Sequence, residues 1–300
     1  MSDGKDLLRR VRQMLNEESG GGWLDDQTSY DYLYDAAIEY VDRTGCLREY
    51  QEITTVAEDS EYNINPDFLR LYLKNTDNNF YIKYYDTSNY HFLTWRDYED
   101  IYYENNTDSV TVPSRFSIID ADLITQLTGT ATSAGASSGG QCTLTDSAAD
   151  FSSVEAGAIV HNTTDGSDGV VLSKTSTTAL VTALFGGTDN DWSSADAYVL
   201  QPQPRYQLII DPPPSTAGHT ITLPYIRRPA PVYSDYGMYA FTNPQVIVGY
   251  AVWKYKYRDR EPNFGDAVYK FWESAVRGRG RSLNQAQRGS VMRVNMKKRR

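Results

Sequence analysis

Three histidines are the first residues to test for chemistry, because imidazole serves both as a metal ligand and as a general base near neutral pH. His91, His161 and His219 each fall in an expected strand or turn, with no carboxylate or cysteine at the spacing of a metal site. We therefore expect neither a metal ion nor a catalytic base at these positions.

Acidic residues in turns are the second candidate. Asp165, Asp168, Asp189 and Asp191 could supply the oxygen ligands that calcium prefers, although their spacing differs from that of an EF-hand loop. Asp also recurs at turns because its side chain accepts hydrogen bonds from nearby backbone amides. Turn formation is the favoured interpretation, and a calcium site is the alternative.

A Gly-x-Ser-x-Gly match at residues 135–139 is the third candidate. A catalytic serine in this motif needs a strand before it and a helix after it, which hold the hydroxyl on a sharp turn. Here the match lies in a stretch of Thr, Ser, Ala and Gly, and the chain has neither a P-loop nor a dinucleotide-binding fingerprint. The sequence therefore predicts a protein that is not an enzyme and has no cofactor.

The C-terminal tail, residues 277–300, differs in charge from the rest of the chain. The 300 residues contain 29 basic and 39 acidic side chains, for a net charge of −10. Nine of the basic residues and none of the acidic residues lie in the tail: Arg277, Arg279, Arg281, Arg288, Arg293, Lys297, Lys298, Arg299 and Arg300. An acidic body with a basic tail is typical of an interaction arm, and a solubilising terminus is the alternative.

Tyrosine is unusually common, with 24 Tyr against 9 Phe. Tyr offers a large contact area and tolerates partial hydration, so we expect extensive contacts between subunits. Cys46 and Cys142 lie far apart and indicate neither a zinc site nor a disulfide scaffold. Because no secretory signal and no apolar run of about 18 residues is present, we expect synthesis in a cytoplasm and no membrane partner.

The elements that must position these residues are helices at both ends of the chain and strands between them. Apolar periodicity predicts a helix that Asp3 caps and the glycines at 20–22 end, and a second from Tyr30 that stops at Gly45. Two more helices are predicted after Pro244 and Pro262. Strands are predicted over 47–57, 80–85, 115–119, 206–211 and 220–225, the last two as a hairpin. The expected fold class is α+β, with a helical-bundle core and a small antiparallel β part.

Residues 126–202, which we name the inserted module, are predicted to be an insertion into one parent domain. Residues 127–141 have the composition of a linker, and short apolar runs then alternate with Gly and Asp turns. We expect a small all-β domain, a sandwich or a barrel, that faces outward as a decoration. The parent domain would comprise 1–125 and 203–276, with the strand near Ile118 paired to the strand at 206–211.

The parts of the parent domain follow one another in a distinctive order. An opening helix pair, with Trp23 and YDYLYDAA at 30–37, precedes REYQEITT at 48–55, PSRFSI at 113–118, YQLIIDPPP at 206–214, LPYIRRP at 223–229 and a closing helix pair. In this order the chain resembles the head-to-tail adaptor, or connector, proteins of tailed bacteriophages. The resemblance covers 1–125 and 203–290, and the inserted module is similar to small β modules of phage structural proteins.

The resemblance implies a structural virion protein at the neck, the head–tail interface, made in the cytoplasm of a host bacterium. Its copies would form a dodecameric ring beneath the portal, through which genomic DNA passes without specific binding. The implied partners are the portal protein and tail or nozzle proteins. We hypothesise that the tail docks on the portal through Arg288, Val291, Met292, Arg293, Val294, Met296, Lys297, Lys298, Arg299 and Arg300.

Two other functions stay open. One is a tail-tube or tail-completion protein lower in the same conduit, which would bind tail proteins and not the portal. The other is a nucleic-acid-binding module whose basic tail contacts phosphates. Phosphate binding weakens steeply between low and physiological salt, whereas docking through apolar tail residues does not.

Overall fold

A computed structural model defines the fold. It describes residues 3–16, 25–71, 82–104, 110–121, 125–202, 206–258 and 264–288. These stretches contain five helices and three β-sheets, so the predicted α+β class is confirmed.

The helices begin and end where the sequence supplies capping residues. The Asp3 side chain accepts a backbone hydrogen bond at the start of α1, Gly4–Leu15, and Asp25 does the same for α2, Asp26–Thr44. Gly45 ends α2 in the left-handed conformation, with φ 59°. The other helices are α3 Tyr98–Glu104, α4 Val246–Arg258 and α5 Phe264–Arg288.

Helices α1, α2, α4 and α5 pack together as one helical layer. Its buried side chains include Leu33, Tyr40, Ile247, Val252 and Trp272. Because α1 and α2 precede all the described strands and α4 and α5 follow them, this layer joins the two ends of the described chain.

Fifteen strands are present in the described residues. In chain order they are β1 Arg48–Thr54, β2 Glu61–Asn63, β3 Phe68–Leu71, β4 Lys83–Tyr85, β5 Tyr90–Phe92, β6 Thr94–Trp95, β7 Arg115–Asp120, β8 Leu127–Thr130, β9 Cys142–Thr145, β10 Ile159–Asn162, β11 Ser167–Ser176, β12 Ala179–Phe185, β13 Ala197–Gln201, β14 Tyr206–Asp211 and β15 Thr220–Arg227. They divide into sheets of five, six and four strands.

The five-stranded and four-stranded sheets pack against each other as a sandwich. The first has the order β1-β15-β4-β5, with β3 also beside β15, and the second has the order β2-β14-β7-β6. Their shared core includes the fully buried side chains of Tyr84, Phe116, Leu208, Ile221 and Leu223. Strands from both sides of the inserted module therefore form one core.

Strands β14 and β15 belong to different sheets, so the predicted hairpin is wrong. β14 pairs with β7, with Leu208 opposite Ile118 as predicted, whereas β15 pairs with β1, β3 and β4. The chain passes between the sheets at Pro212, Pro213 and Pro214. Each of these prolines fixes φ and lacks an amide donor, which disfavours a closely paired hairpin.

The predicted helical-bundle core is also wrong, because the fold is mostly β. Two of the three apolar clusters lie between or within sheets, and only one lies in the helical layer. Strands β2, β3, β5 and β6 contain two to four residues each. Strands this short show no measurable period-2 alternation, so the sequence underestimates the β content.

The inserted module forms a six-stranded antiparallel sheet that curls into a half-barrel. Its strand order is β8-β13-β10-β11-β12-β9. The module has its own core, which includes Leu144, Phe151, Val160, Leu180 and Trp192. The expected all-β structure of this segment is confirmed.

Residues 127–141 are not a linker. Leu127–Thr130 form β8, which pairs with β13, and Ala131 is buried in the core of the module. A Cβ atom at Gly135 would lie 2.5 Å from the Thr143 carbonyl oxygen. The small side chains of this stretch therefore reflect close packing, which composition alone does not distinguish from flexibility.

The module packs against the parent domain. The Phe185 ring on β12 lies 6.5 Å from the Tyr30 ring on α2 and 6.0 Å from the Tyr233 ring, between centroids. Gln141 Nε2 donates a hydrogen bond to Ser234 Oγ at 2.7 Å. Part of the module surface is therefore occupied by the parent domain and does not face outward.

The chain leaves and re-enters the sandwich at one point. β7 ends at Asp120 and β14 begins at Tyr206, and these two residues are directly opposite in the antiparallel register. Opposite residues on antiparallel strands have Cα atoms about 5 Å apart. The module therefore interrupts a strand pair without separating its strands.

Candidate interaction surfaces

The base of the C-terminal tail is held by an aromatic cluster between α4 and α5. The Trp272 ring is fully buried, 4.8 Å from the Tyr250 ring and 5.6 Å from the Tyr269 ring. The Arg43 guanidinium on α2 lies 5.0 Å from the centroid of the Trp272 ring, within the range of a cation–π interaction. These contacts fix the first half of α5 to the helical layer.

Helix α5 continues past residue 277, where the basic tail begins. Val276 is buried at 3% exposure, and the helix extends from there to Arg288, which is about 18 Å at the rise of an α-helix. The Arg277 guanidinium pairs with Glu273 at 2.7 Å. The predicted boundary at residue 277 thus lies inside a continuous helix.

Of the residues predicted to dock on the portal, only Arg288 lies among the residues that the structure describes. Arg288 is the last residue of α5. The others lie outside the described residues: Val291, Met292, Arg293, Val294, Met296, Lys297, Lys298, Arg299 and Arg300. Their role in docking stays a prediction.

A groove lies beside the base of the tail, between α1, α4 and α5. It encloses about 450 Å³ and is lined by Met14, Val246, Val248 and Phe271, with the polar side chains of Arg10, Gln13, Asn243 and Gln245. Phe271 is 74% exposed and Met14 is 44% exposed. Both residues share the helical spacing of buried apolar neighbours, but on α5 the buried side is occupied by Trp272 and Val276.

Two of the three histidines have carboxylate partners that sequence spacing did not reveal. His91 Nε2 lies 2.8 Å from Asp86 Oδ2, and His161 Nδ1 lies 2.5 Å from Asp168 Oδ1. The amide of Asn89, the His91 ring and the amide of Ser88 hydrogen-bond the Asp86 carboxylate and lower its pKa to about 2. The turn between β4 and β5 and the β10–β11 pairing create these contacts.

The third histidine is in the sandwich. His219 is 7% exposed, and its Nδ1 atom lies 2.6 Å from the Tyr84 hydroxyl, whose pKa is raised to about 12 mainly by burial. The His219 amide donates to Thr55 Oγ1 at 3.1 Å. These bonds satisfy polar groups at the end of β15, which indicates a structural role.

The acidic turns are organised by Asn162. Its Nδ2 donates to Asp165 Oδ2 and to Asp196 Oδ2, each at 3.0 Å, and its Oδ1 accepts the amides of Thr164 and Asp165. Asp191 accepts a hydrogen bond from the next amide, that of Trp192. The described stretches contain no group of three metal-ligating side chains.

The Gly-x-Ser-x-Gly match lies in a loop of the module. The Gly135 amide donates to the Trp192 carbonyl at 2.6 Å, and the Ser138 amide donates to the Gln141 carbonyl at 2.9 Å. Gly139 has φ 59°, and a Cβ there would lie 2.6 Å from the Tyr236 ring. The glycines thus permit close packing, and the match lacks the strand–turn–helix geometry of a nucleophile elbow.

Comparisons with known proteins add no family. A scan against protein-family models finds no match, and a search of curated proteins finds none either. Within the described part of the chain, no helix is both long enough and apolar enough to cross a membrane.

Proposed function

We propose that the protein is a head-to-tail adaptor of a tailed bacteriophage, a structural virion protein whose copies form a ring beneath the portal. The observation that carries the proposal is α5, whose first half is built into the helical layer and whose second half begins the basic tail. A helix anchored in this way presents the tail at a fixed position, which lowers the entropy cost of docking.

The charge distribution supports a conduit for DNA. Residues 1–276 carry 20 basic against 39 acidic side chains, and the tail carries nine basic side chains. An acidic wall repels phosphates, so DNA would pass without being held. The basic tail would meet the portal instead.

Exposed aromatic side chains support assembly into a ring. Seven in the described residues are more than half exposed: Tyr50, Tyr90, Phe92, Tyr102, Tyr236, Tyr257 and Phe271. A ring needs two different contact surfaces on every copy, and aromatic residues are enriched in the centres of such interfaces.

The direct test mixes the purified full-length protein with the portal of its source particle and images the product by cryo-electron microscopy. A variant lacking residues 289–300 tests the tail, and Lys5→Gln, which removes an exposed positive charge from α1, is the control. We expect a ring on the portal for the wild type and the control, and at least about tenfold weaker binding for the truncation.

The other outcomes separate the alternatives. Truncated protein that binds the portal as the wild type does would refute docking through the tail. Binding to a tail protein but not to the portal would favour the tail-tube or tail-completion function. Retention of DNA with a steep salt dependence, lost on truncation, would favour the nucleic-acid-binding function.

A further inference from the structure

The outer face of the five-stranded sheet, the side away from the sandwich core, carries two aligned rows of side chains. Their neighbours Ile53, Tyr84 and Ile221 point into the core and are buried. In the order β1, β15, β4, β5, the rows are Glu52, Thr222, Lys83, Phe92 and Thr54, Thr220, Tyr85, Tyr90. The middle of this face is polar, and the side chains at its two edges differ in charge and in aromatic content.

The β5 edge of the outer face is aromatic and basic. Tyr90 is 63% exposed and Phe92 is 56% exposed, and the Tyr85 and Tyr90 rings lie 4.7 Å apart. Lys83 Nζ lies 5.6 Å from the centroid of Tyr90 and 6.0 Å from that of Phe92. The edge thus holds a positive charge near a pair of exposed rings, and aromatic residues are enriched at protein interfaces.

The β1 edge of the same face carries an aromatic ring beside an acidic side chain. Tyr50 is 62% exposed, and Glu52 is exposed two residues further along the same side of the strand. The nearby basic residue, Arg48, donates through Nε to the Gly45 carbonyl oxygen at the end of α2. Tyr50 therefore lies between Arg48, which is bonded to the end of α2, and Glu52, which is the acidic group of this edge.

Both strands end the sheet among the residues that the structure describes. β1 pairs there with β15 alone, and β5 pairs there with β4 alone. Edge strands present backbone amides and carbonyls to any second strand that approaches them. The sheet thus has two edges with exposed aromatic side chains, one next to Lys83 and the other next to Glu52.

We propose that the β5 edge of one copy docks against the β1 edge of a second copy, with Lys83 facing Glu52 of the neighbour and the Tyr90–Phe92 rings against its Tyr50. The occupant follows from the complementary charges of Lys83 and Glu52, because each lies beside exposed aromatic side chains on one of the two edges of the same sheet. Because the two patches differ, the contact is heterologous and repeats from copy to copy. Only the closure of this series into a ring rests on the proposed function.

Charge reversal tests the contact in the full-length protein. Lys83→Glu would leave two acidic edges and Glu52→Lys two basic ones, so each variant alone should self-associate at least about tenfold more weakly than the wild type. The double variant, and an equimolar mixture of the two single variants, restore opposite charges across every contact and should recover association. Mass photometry and sedimentation velocity at matched protein concentration provide the readout.

The control is Glu61→Lys, which makes the same change of charge on an exposed position of β2 in the other sheet. It should associate as the wild type does. A wild type that stays monomeric up to its solubility limit, single variants that associate normally, or a mixture that fails to recover would each overturn the proposal.

The same variants distinguish this inference from the proposed function. Recovery by the mixture, together with wild-type protein that ignores the portal, would retain the copy-to-copy contact and reject the adaptor function. Portal binding by wild type, with association indifferent to both charge reversals, would retain the adaptor function and reject this contact.

Discussion

The inserted module and the sandwich are both antiparallel β structures, yet they draw on the chain in opposite ways. Every strand pair of the module joins residues within 127–201. In the sandwich, β15 pairs with β1, so that Thr222 lies opposite Glu52 although the whole module comes between them in sequence. The module is specified by one contiguous stretch, whereas the sandwich requires the segments on both sides of the module.

The buried tryptophan of the module and that of the helical layer are held in place by different contacts. Trp192 Nε1 in the module donates a hydrogen bond to Thr182 Oγ1 at 2.9 Å. Trp272 in the helical layer has no hydrogen-bond partner for Nε1 in the described residues and packs between Tyr250 and Tyr269. Directional bonds position the first ring, and aromatic packing positions the second.

Replacing each tryptophan by alanine is the strongest way to break this comparison. Trp192→Ala and Trp272→Ala should each lower the free energy of unfolding by about 3–5 kcal/mol, because both rings are fully buried. Hydrogen exchange read peptide by peptide should place the loss in residues 127–201 for the first variant, and in α4 and α5 for the second.

The matched control is Tyr257→Ala, since Tyr257 lies on α4 and is 74% exposed. It should change the unfolding free energy by less than about 1 kcal/mol. If both tryptophan variants lost protection uniformly over the whole chain, the two regions would be one cooperative unit and the comparison would fail.

Phe185→Ala sharpens the comparison at the contact between the regions. The ring is half-buried against Tyr30 and Tyr233, so its loss should cost about 1–2 kcal/mol, less than for a fully buried Phe. We expect the unfolding midpoints of the module and the parent domain to separate in denaturant. Ile159→Ala, at an exposed position of the module, should leave the midpoints together, and equal behaviour of the two variants would contradict a stabilising contact.

The smallest effect concerns two acidic turns, one in each region. Hydrogen bonds from the Asn89 amide, the His91 ring and the Ser88 amide lower the pKa of Asp86, and the Ser152 amide lowers that of Asp150. A lowered folded pKa stabilises the folded state above the ordinary pKa near 3.8, and this stabilisation is lost as the pH falls towards about 2. Acid should therefore weaken both turns.

The measurement is a carboxyl titration by NMR. Asp86 should titrate near pH 2 in the wild type, and His91→Ala should raise its pKa while leaving Asp150 unchanged. An Asp86 midpoint near its ordinary value, or a shift of Asp150 in the variant, would disprove the local origin of the effect.

Much of the fold could be predicted where a residue acts on its neighbours. The capping by Asp3, the end of α2 at Gly45 and the pairing near Ile118 follow from local chemistry and apolar patterning. The assignment of β14 and β15 to separate sheets depends on contacts with distant strands, which local patterns do not encode. Strand β8 could not be predicted from composition, because small residues are common both in closely packed segments and in flexible linkers.

The surfaces were less predictable than the fold. Phe271 shares the helical periodicity of a buried stripe, and only the placement of Trp272 shows which side of α5 is covered. His91 and Asp86 meet because β4 and β5 form a hairpin around the intervening turn. The charge of the tail is evident from the sequence, whereas only the structure shows that the tail up to Arg288 continues α5.

Because the chain leaves and re-enters the sandwich at the paired residues Asp120 and Tyr206, the module can be exchanged as one unit. Any domain whose termini lie about 5 Å apart meets the geometric requirement for replacing the module there, with β7 and β14 still paired. Recombination could swap such domains between lineages in one event. The same junction would let an epitope or a binding domain be spliced in for display on each copy, provided that its surface accommodates Tyr30 and Tyr233.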